Sequence, residues 1–403
     1  MLTPAEAEKL IQAVLSPAGT EDCPLAEAHG RVLRREIRAD RDLPPFDRVT
    51  MDGYALRSVA LAEGRRTFRV IGVQAAGMIP RKLGAQDDVC IEIMTGAARP
   101  EGADCVVPYE DVTRAGDQIT VAADVAKRPT AGSAIHRRGS DHEAADLIVP
   151  AGIRLGGREI AVAAACGCET IAVAVRPRVA VVATGDELVE PGMPVAPHQI
   201  RRSNDYGLRA ALAAAGYPGV ERFHLRDVRE EIEHRLWHIL AEFDVVLLTG
   251  GVSKGKFDYL PAVLECLQVK KVLHGIAQRP GKPMWFGVSA RRTPVFAFPG
   301  NPAAAYTGLH RYVLPALARA AGATDTPVRR VPLAEAVTFR PPLAYFLPVR
   351  LEADAVGMIR ARPDPLNTSG DFAGLVGTDG FVELPAGQEE FPAGYVADFR
   401  PWI

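Results

Sequence analysis

FDVVLLTGGVSKGKFDYL, residues 243–260, decides the fold. Val245 to Thr249 are apolar or nearly so and read as a strand buried on both faces, as in a parallel sheet. Gly250 and Gly251 stop the strand, and a loop with Ser253, Lys254, Gly255 and Lys256 follows. Asp258 closes the loop and is placed to cap a helix starting near Tyr259. Strand, glycine-rich loop and helix N-terminus together suit phosphate: glycines admit backbone N–H groups to the anion, and the helix dipole favours its charge. Gly250 and Gly255-Lys256 fit most of a P-loop. The next residue is Phe257, however, which has no hydroxyl for magnesium, so a P-loop NTPase is set aside.

Working outward, residues 178–321 alternate strand and helix patterns. Val179–Ala183 reads as a strand, then the glycine turn Thr184-Gly185-Asp186-Glu187-Leu188. Ser203 is placed to cap a helix from Asn204 to Ala215 that ends at Gly216. A strand near 222–225 leads to Asp227 and Glu230, spaced as a capping box before a helix over 228–242. After the glycine loop come a helix over 259–267, a strand near 271–274, Arg279-Pro280-Gly281-Lys282-Pro283 and a strand over 294–298. Pro299-Gly300-Asn301-Pro302 then opens a long helix to about Ala321. This alternation predicts a parallel, doubly wound α/β sheet. Three loops, at 184–188, 249–258 and 299–302, fall at strand C-terminal ends, where such sheets bind ligands.

The flanking regions differ. Residues 1–39 begin with an amphipathic helix that is no signal peptide. Residues 67–125 carry short β-type runs cut by Gly and Pro, a β-rich domain. Within or beside it, Asp52 follows a Pro-Pro break, Thr95 lies at a strand end, and Arg137-Arg138-Gly139-Ser140-Asp141 is a charged turn. A helix over 157–166 and a strand over 170–174 lead to a linker at Arg176-Pro177, and residues 326–403 read as a small β-barrel or sandwich. Net charge is −2 with no basic run, which argues against nucleic acid as a partner. No apolar segment is long enough to span a membrane. The six cysteines form no CxxC pair, and Cys166 and Cys168, in an Ala-rich stretch, read as buried small hydrophobes. A reduced, cytoplasmic protein is expected.

Eight tags then stand in one order across nearly the whole chain: PPFDRVTMDGYAL at 44–56, IMTGAARPEGADCVVPYED at 93–111, RRGSD at 137–141, TGDEL at 184–188, RSN at 202–204, LLTGGVSKGKFDY at 247–259, RPGKP at 279–283 and PGNP at 299–302. The set resembles the MoeA/gephyrin family of molybdopterin molybdenumtransferases. The resemblance implies insertion of molybdenum from molybdate into adenylylated molybdopterin with release of AMP, assisted by a divalent cation, usually Mg2+. It implies an elongated homodimer: a discontinuous N-terminal domain (1–43 and 138–176), an inserted β-rich domain (44–137), an adenylyltransferase-like α/β domain (177–325) and a C-terminal β-barrel (326–403). The active site would join the α/β domain of one subunit to the β-rich domain of the other. Molybdopterin adenylyltransferase and molybdoenzyme-specific proteins are the implied partners.

On this reading Glu187 and Asp258 serve the metal and position water, with Asp227 in support. Asp52, Thr95 and Asp141 line the molybdate and dithiolene side. Ser203, Asn204 and Ser253 bond the substrate. The amides of Gly250, Gly251 and Gly255, with Arg279 and Lys282, hold its anionic groups beside Pro299, Gly300 and Pro302. Two carboxylates about 4 Å apart repel by roughly 4 kcal/mol at an effective dielectric near 20, so clustered acids call for a cation. Arg48, Val49 and Arg279 depart from the usual family residues; Arg279 keeps the charge as a planar fork. The alternatives are a molybdopterin adenylyltransferase, which would consume ATP, and a non-catalytic cofactor carrier, which would release no AMP.

Overall fold

Val179 and Val181 pack into one apolar layer, Ala180 and Val182 into another. A strand whose alternate residues are buried on opposite sides is sandwiched between helices. The structure, a computed structural model, describes residues 1–252, 259–368 and 370–403. The expectations placed on Ser253, Gly255 and Asp258 lie outside the described residues. Two compact units are formed: residues 1–35, 151–160 and 170–403 in one, 36–150 and 161–169 in the other.

The first unit holds a six-stranded sheet in the order Val220–Leu225, Val179–Thr184, Val245–Thr249, Pro294–Phe298, Trp285–Val288, Lys270–His274. The first four are mutually parallel. One face is covered by Leu208 and Leu212 of the helix Asn204–Ala214 and by Leu309, Tyr312 and Val313. The other is covered by Ile232, Leu236 and Ile239 of Arg229–Glu242 and by Val263 and Leu264. The doubly wound reading therefore holds, with one correction. Trp285–Val288, too short and Gly-interrupted to be read from the sequence, is antiparallel to both its neighbours. It forms a hairpin with Pro294–Phe298, so the sheet is mixed.

Two helix ends also differ from expectation. Val228 occupies the N-cap of Arg229–Glu242, one residue past Asp227, and has no side chain that can cap. Ser203 stands at the N-cap of Asn204–Ala214 without a side-chain cap bond. Tyr259 is at the N-cap of Leu260–Cys266. The long final helix runs as Pro302–Gly308, a π turn Leu309–Val313, and Leu314–Ala320. Pro315 has no N–H to give, and its ring crowds the preceding turn, which widens there. Arg311 in the π turn is buried between Glu8 Oε2 at 2.7 Å and Glu383 Oε2 at 2.8 Å. That triad ties the N-terminal helix Pro4–Val14 and the C-terminal β region to the sheet's cover.

The C-terminal strands Ala344–Ala353, Gly380–Leu384, Val396–Pro401 and Arg329–Pro332 pair antiparallel in that order, and Ile359–Pro363 pairs with Ala344–Ala353. A bridge from Leu333 to Ala361 closes the ring, giving the expected small barrel around Leu347, Val349, Val382 and Phe399. The second unit contains a six-stranded sheet in the order Cys105–Pro108, Gly53–Leu56, Val89–Ile93, Thr67–Gln74, Gln118–Val121, Val112–Ala115. Gly53 is required in it: a Cβ there would stand 2.1 Å from the Val107 carbonyl oxygen.

All six cysteines are free thiols. Cys166 is buried, but Cys168 lies past the helix end and is only half-buried. Burial pushes the Cys90 and Cys105 thiols up to about 12, whereas Cys266 is exposed. Because the thiolate is the nucleophile, native protein at about pH 8 should react with a disulfide reagent first at Cys266. Cys90 and Cys105 should react only on unfolding. Loss of the fast phase in Cys266→Ser checks the assignment; rapid native labelling of Cys90 or Cys105 contradicts it.

Candidate functional site

The loops at the C-terminal ends of the parallel strands converge. The Gly185 N–H bonds the Leu225 carbonyl at 3.2 Å, and the Gly250 N–H bonds the Phe298 carbonyl at 3.0 Å. Thr184 Oγ1 donates to the Thr249 carbonyl at 3.5 Å. Asn204 Nδ2 donates to the Gly300 carbonyl at 2.8 Å, fastening the helix Asn204–Ala214 to the Pro299-Gly300-Asn301-Pro302 loop. Asn204 Oδ1 is buried with no hydrogen-bond partner among the described residues. The N-terminal ends of Asn204–Ala214 and of the helix beginning at Pro302 thus face one place, an arrangement that favours an anion.

Gly250 shows how tight this is. Its φ is +96°, and a Cβ would stand 2.6 Å from the Thr184 carbonyl oxygen and 2.8 Å from Thr184 Oγ1. Gly281, in the Arg279–Pro283 turn, has its pro-Cβ direction 3.7 Å from the Ala304 carbonyl oxygen, which sets that turn beside the first turn of the helix Pro302–Gly308. Lys282 is exposed there, and the Arg279 guanidinium lies 6.0 Å from the Phe339 ring centre.

The acids of this loop cluster are partly accounted for. The Glu187 carboxylate folds against Gly185, and the Glu187 carbonyl accepts the Ile200 N–H at 2.8 Å. Asp186 Oδ1 accepts the Asp227 N–H at 3.2 Å, so Asp186, which sequence reasoning passed over, connects Asp227 to the 184–188 turn. Among the described residues no group of three or more His, Cys, Asp or Glu gathers as a metal cage.

A second group of predicted residues meets in the other unit. The Thr95 N–H donates to Asp52 Oδ1 at 2.6 Å. Backbone and side-chain hydrogen bonds from Thr95 hold the Asp52 carboxyl below the usual carboxylate range. Asp141 Oδ1 lies 2.9 Å from His136 Nε2, and His136 Nδ1 lies 3.3 Å from Arg48 Nη2. Val49 pairs with Ile135, and the Val49 N–H bonds the Ala97 carbonyl at 2.9 Å. The 48–52, 95–97 and 135–141 segments are therefore laced side by side. Asp47 reinforces them, accepting the Arg138 N–H at 3.0 Å and Arg99 Nε at 2.9 Å. His136 and Asp47 were not read as site residues; only the strand pairing brings them in.

Also missed was a buried ion network next to Asn204. Asp205, 1% exposed, takes Arg202 Nη2 at 2.5 Å and Arg222 Nη1 at 3.0 Å. Glu190 takes Arg202 Nη1 at 2.7 Å, and the Arg222 guanidinium lies 3.7 Å over the Tyr206 ring. The network locks the start of the helix that presents Asn204.

Residues 2–167 match the MoeA N-terminal region (domain I and II), 180–319 a probable molybdopterin binding domain, and 330–402 the MoeA C-terminal region (domain IV). A molybdopterin molybdenumtransferase of Synechocystis sp. is 40% identical over 403 residues, covering 100% of both chains. The chain belongs to the molybdopterin molybdenumtransferase family. A Staphylococcus epidermidis member is 32% identical over 381 residues, 93% of this chain and 89% of its own. A molybdopterin biosynthesis MoeA protein from Pyrococcus horikoshii has a solved structure that superposes with a TM-score of 0.79 at 32% identity, covering 100% of this chain and 99% of that one. Membership makes the chain a transferase of molybdenum cofactor biosynthesis and agrees with the multidomain α/β-plus-β fold. Among the described residues no helix is long and apolar enough to cross a membrane.

Proposed function

We propose that the chain inserts molybdenum from molybdate into adenylylated molybdopterin and releases AMP. The observation that carries this reading is the Asn204–Gly300 bond closing a nest of loops that includes Gly185 and Gly250, with helix N-termini aimed into it. The helix N-termini suit the phosphates of an adenylylated pterin, and Arg279 and Lys282 add positive charge, whereas the Gly185 and Gly250 N–H groups are already taken by the Leu225 and Phe298 carbonyls, which removes the Gly250 amide from the expected donors. Asn204 Oδ1, buried without a partner, supplies an acceptor for a substrate N–H or O–H. Asp52, Thr95 and Asp141 are assigned to the molybdate side, where the ionised Asp52 holds the Thr95 turn in place. Ser203, Gly251, Pro299 and Pro302 shape the substrate edge of the nest.

The residues fit Mg2+ in donor type. Glu187, with Asp227 held through Asp186, offers hard oxygens, and Mg2+ is commonly bound by one or two carboxylates plus substrate phosphates rather than by a protein cage. When bound, the ion would neutralise charge on the phosphate oxygens. Glu187 and Asp258 are its proposed ligands. The four-domain division at residues 44, 138, 177 and 326 is carried as part of this proposal, as is a cytoplasmic location.

Purified protein given adenylylated molybdopterin, molybdate and Mg2+ should release AMP only when molybdate is present. Retained pterin without AMP would favour a carrier, and pyrophosphate release from ATP with free molybdopterin would favour the adenylyltransferase reaction. We further infer a homodimer whose sites draw Asp52 from one subunit and Asn204 from the other. Asp52→Ala, which frees the Thr95 turn, and Asn204→Ala, which frees Gly300, should each lower AMP release about 100-fold, because misplacement of about 1 Å suffices for that. Refolding the two variants together should recover activity that neither has alone. Absence of recovery would place both residues in one subunit's site.

A further inference from the structure

A cavity of about 920 Å³ opens away from the glycine loops. Its wall includes Ala215, Gly216 and Tyr217, which connect the C-terminal end of the helix Asn204–Ala214 to the start of the strand Val220–Leu225. It therefore lies at the N-terminal edge of the parallel strands, the opposite end from the substrate nest. Leu314 and Ala318, also in the wall, are roughly 20 Å along the final helix from Pro302 at the helical rise.

The lining is cationic and contains no Asp or Glu side chain. Arg154 bonds the Gly30 and Ala215 carbonyls at 2.8 and 3.1 Å, and Arg176 bonds the His29 carbonyl at 3.0 Å. No carboxylate stands within ion-pair distance of Arg154, Arg176 or Arg329 among the described residues. Arg176 Nε and Tyr217 Oη are buried with no hydrogen-bond partner among them. Burial, with the charges of Arg31 and Arg154, holds Arg176 below the usual arginine range, and Cys23 and Glu21 offset this only in part. Leu155, Leu314 and Val328 add apolar surface to a wall that also includes His29, His310 and Arg400.

Buried donors without a protein partner, guanidiniums without an ion-pair partner and neighbouring apolar side chains together set the chemistry this cavity could recognise. We propose that this cavity binds a small amphipathic organic anion, one phosphate, sulfonate or carboxylate group on an apolar body. The acidic group would take Arg176 Nε and the Tyr217 hydroxyl, with Arg154 and Arg329 flanking it. The apolar body would lie against Leu314 and Val328. The volume is within the range of small-molecule sites.

Fluorescence titration of the full chain with anilinonaphthalene sulfonate, beside its uncharged relative N-phenyl-naphthylamine, tests this. The sulfonate should bind at one saturable site, at least about tenfold more tightly than the neutral dye, and weaken as salt rises. Inorganic phosphate should displace it. Arg154→Gln should weaken it about tenfold or more. Arg329→Gln, at an exposed position where folding is not at stake, should weaken it measurably too. Equal binding of the two dyes, or unchanged sulfonate binding in Arg329→Gln and Tyr217→Phe, would mean adsorption to apolar surface and overturn the proposal, as would no binding at all.

Discussion

Replacement of Gly250 by alanine should abolish most activity and visibly destabilise the α/β region. The native φ of +96° is one that L residues rarely adopt, and holding a side chain there costs about 1–3 kcal/mol. The new methyl would also meet the Thr184 carbonyl oxygen at 2.6 Å and Oγ1 at 2.8 Å. The first is backbone and the second a buried side-chain hydroxyl at the end of a buried strand, so relief requires the two strand ends to separate, at a further 1–3 kcal/mol or so. The sum, roughly 2–6 kcal/mol, corresponds to a fall in melting temperature of about 10 °C for a domain of this size. Separation would carry Gly250 off the Phe298 carbonyl and splay the loop nest, so AMP release should fall at least about 100-fold. Calorimetry and the AMP assay read the two effects separately. A Gly250→Ala protein with wild-type melting and turnover would show that the close approach to Thr184 is dispensable.

Asp205→Ala is expected to cost nearly as much in stability. The carboxylate is 1% exposed and neutralises two guanidiniums, those of Arg202 and Arg222, whose side chains are 10% and 18% exposed. Breaking a buried pair by removing one partner typically costs about 3–5 kcal/mol, because the other charge is left in a poor solvent. Glu190 remains within 2.7 Å of Arg202 and 3.6 Å of Arg222, so the lower end, about 3 kcal/mol, is expected. Asp205→Asn keeps the shape and loses the charge, and should recover only a small part. Because the pair is buried, added salt should leave the difference nearly unchanged. Urea midpoints for both variants at low and high salt decide this. A loss under about 0.5 kcal/mol would show that Arg202 and Arg222 reach water or Glu190 well enough without Asp205.

The distance between what was legible and what was not follows from the range of the forces involved. Val245–Thr249 could be read as a buried strand because burial on both faces demands an unbroken apolar run, a local property. The helix over Asn204–Ala214 and its left-handed Gly216, φ +90°, were legible for the same reason: apolar spacing and a glycine stop act within a few residues. The barrel at the C-terminus announced itself through short β runs, though its closure depends on the Leu333–Ala361 bridge. Trp285–Val288 was not legible, since its antiparallel place depends on a neighbour, Lys270–His274, that pairs with it through tertiary structure.

Candidate residues divide in the same way. Asp52, Thr95, Asn204 and Gly300 could be named from ordered sequence tags, yet only the fold joins Asp52 to Thr95 and Asn204 to Gly300, at 2.6 and 2.8 Å. Asp205 is an ordinary first-turn acid in the sequence. It becomes a buried counterion only because Arg222, on the adjoining strand, is brought to it across 17 residues. Likewise Arg154 and Arg176 look like surface arginines until the chain's N-terminal segment, the sheet edge and the barrel enclose them around one cavity. By itself the sequence determined the local elements, the family and the residue types of the substrate nest, because propensity, burial pattern and glycine conformation are encoded over short spans. Which charges are paired, which donors are left unpaired and which loops touch were decided by the tertiary structure, because Coulomb and hydrogen-bond energies depend on separations in space that no linear spacing records.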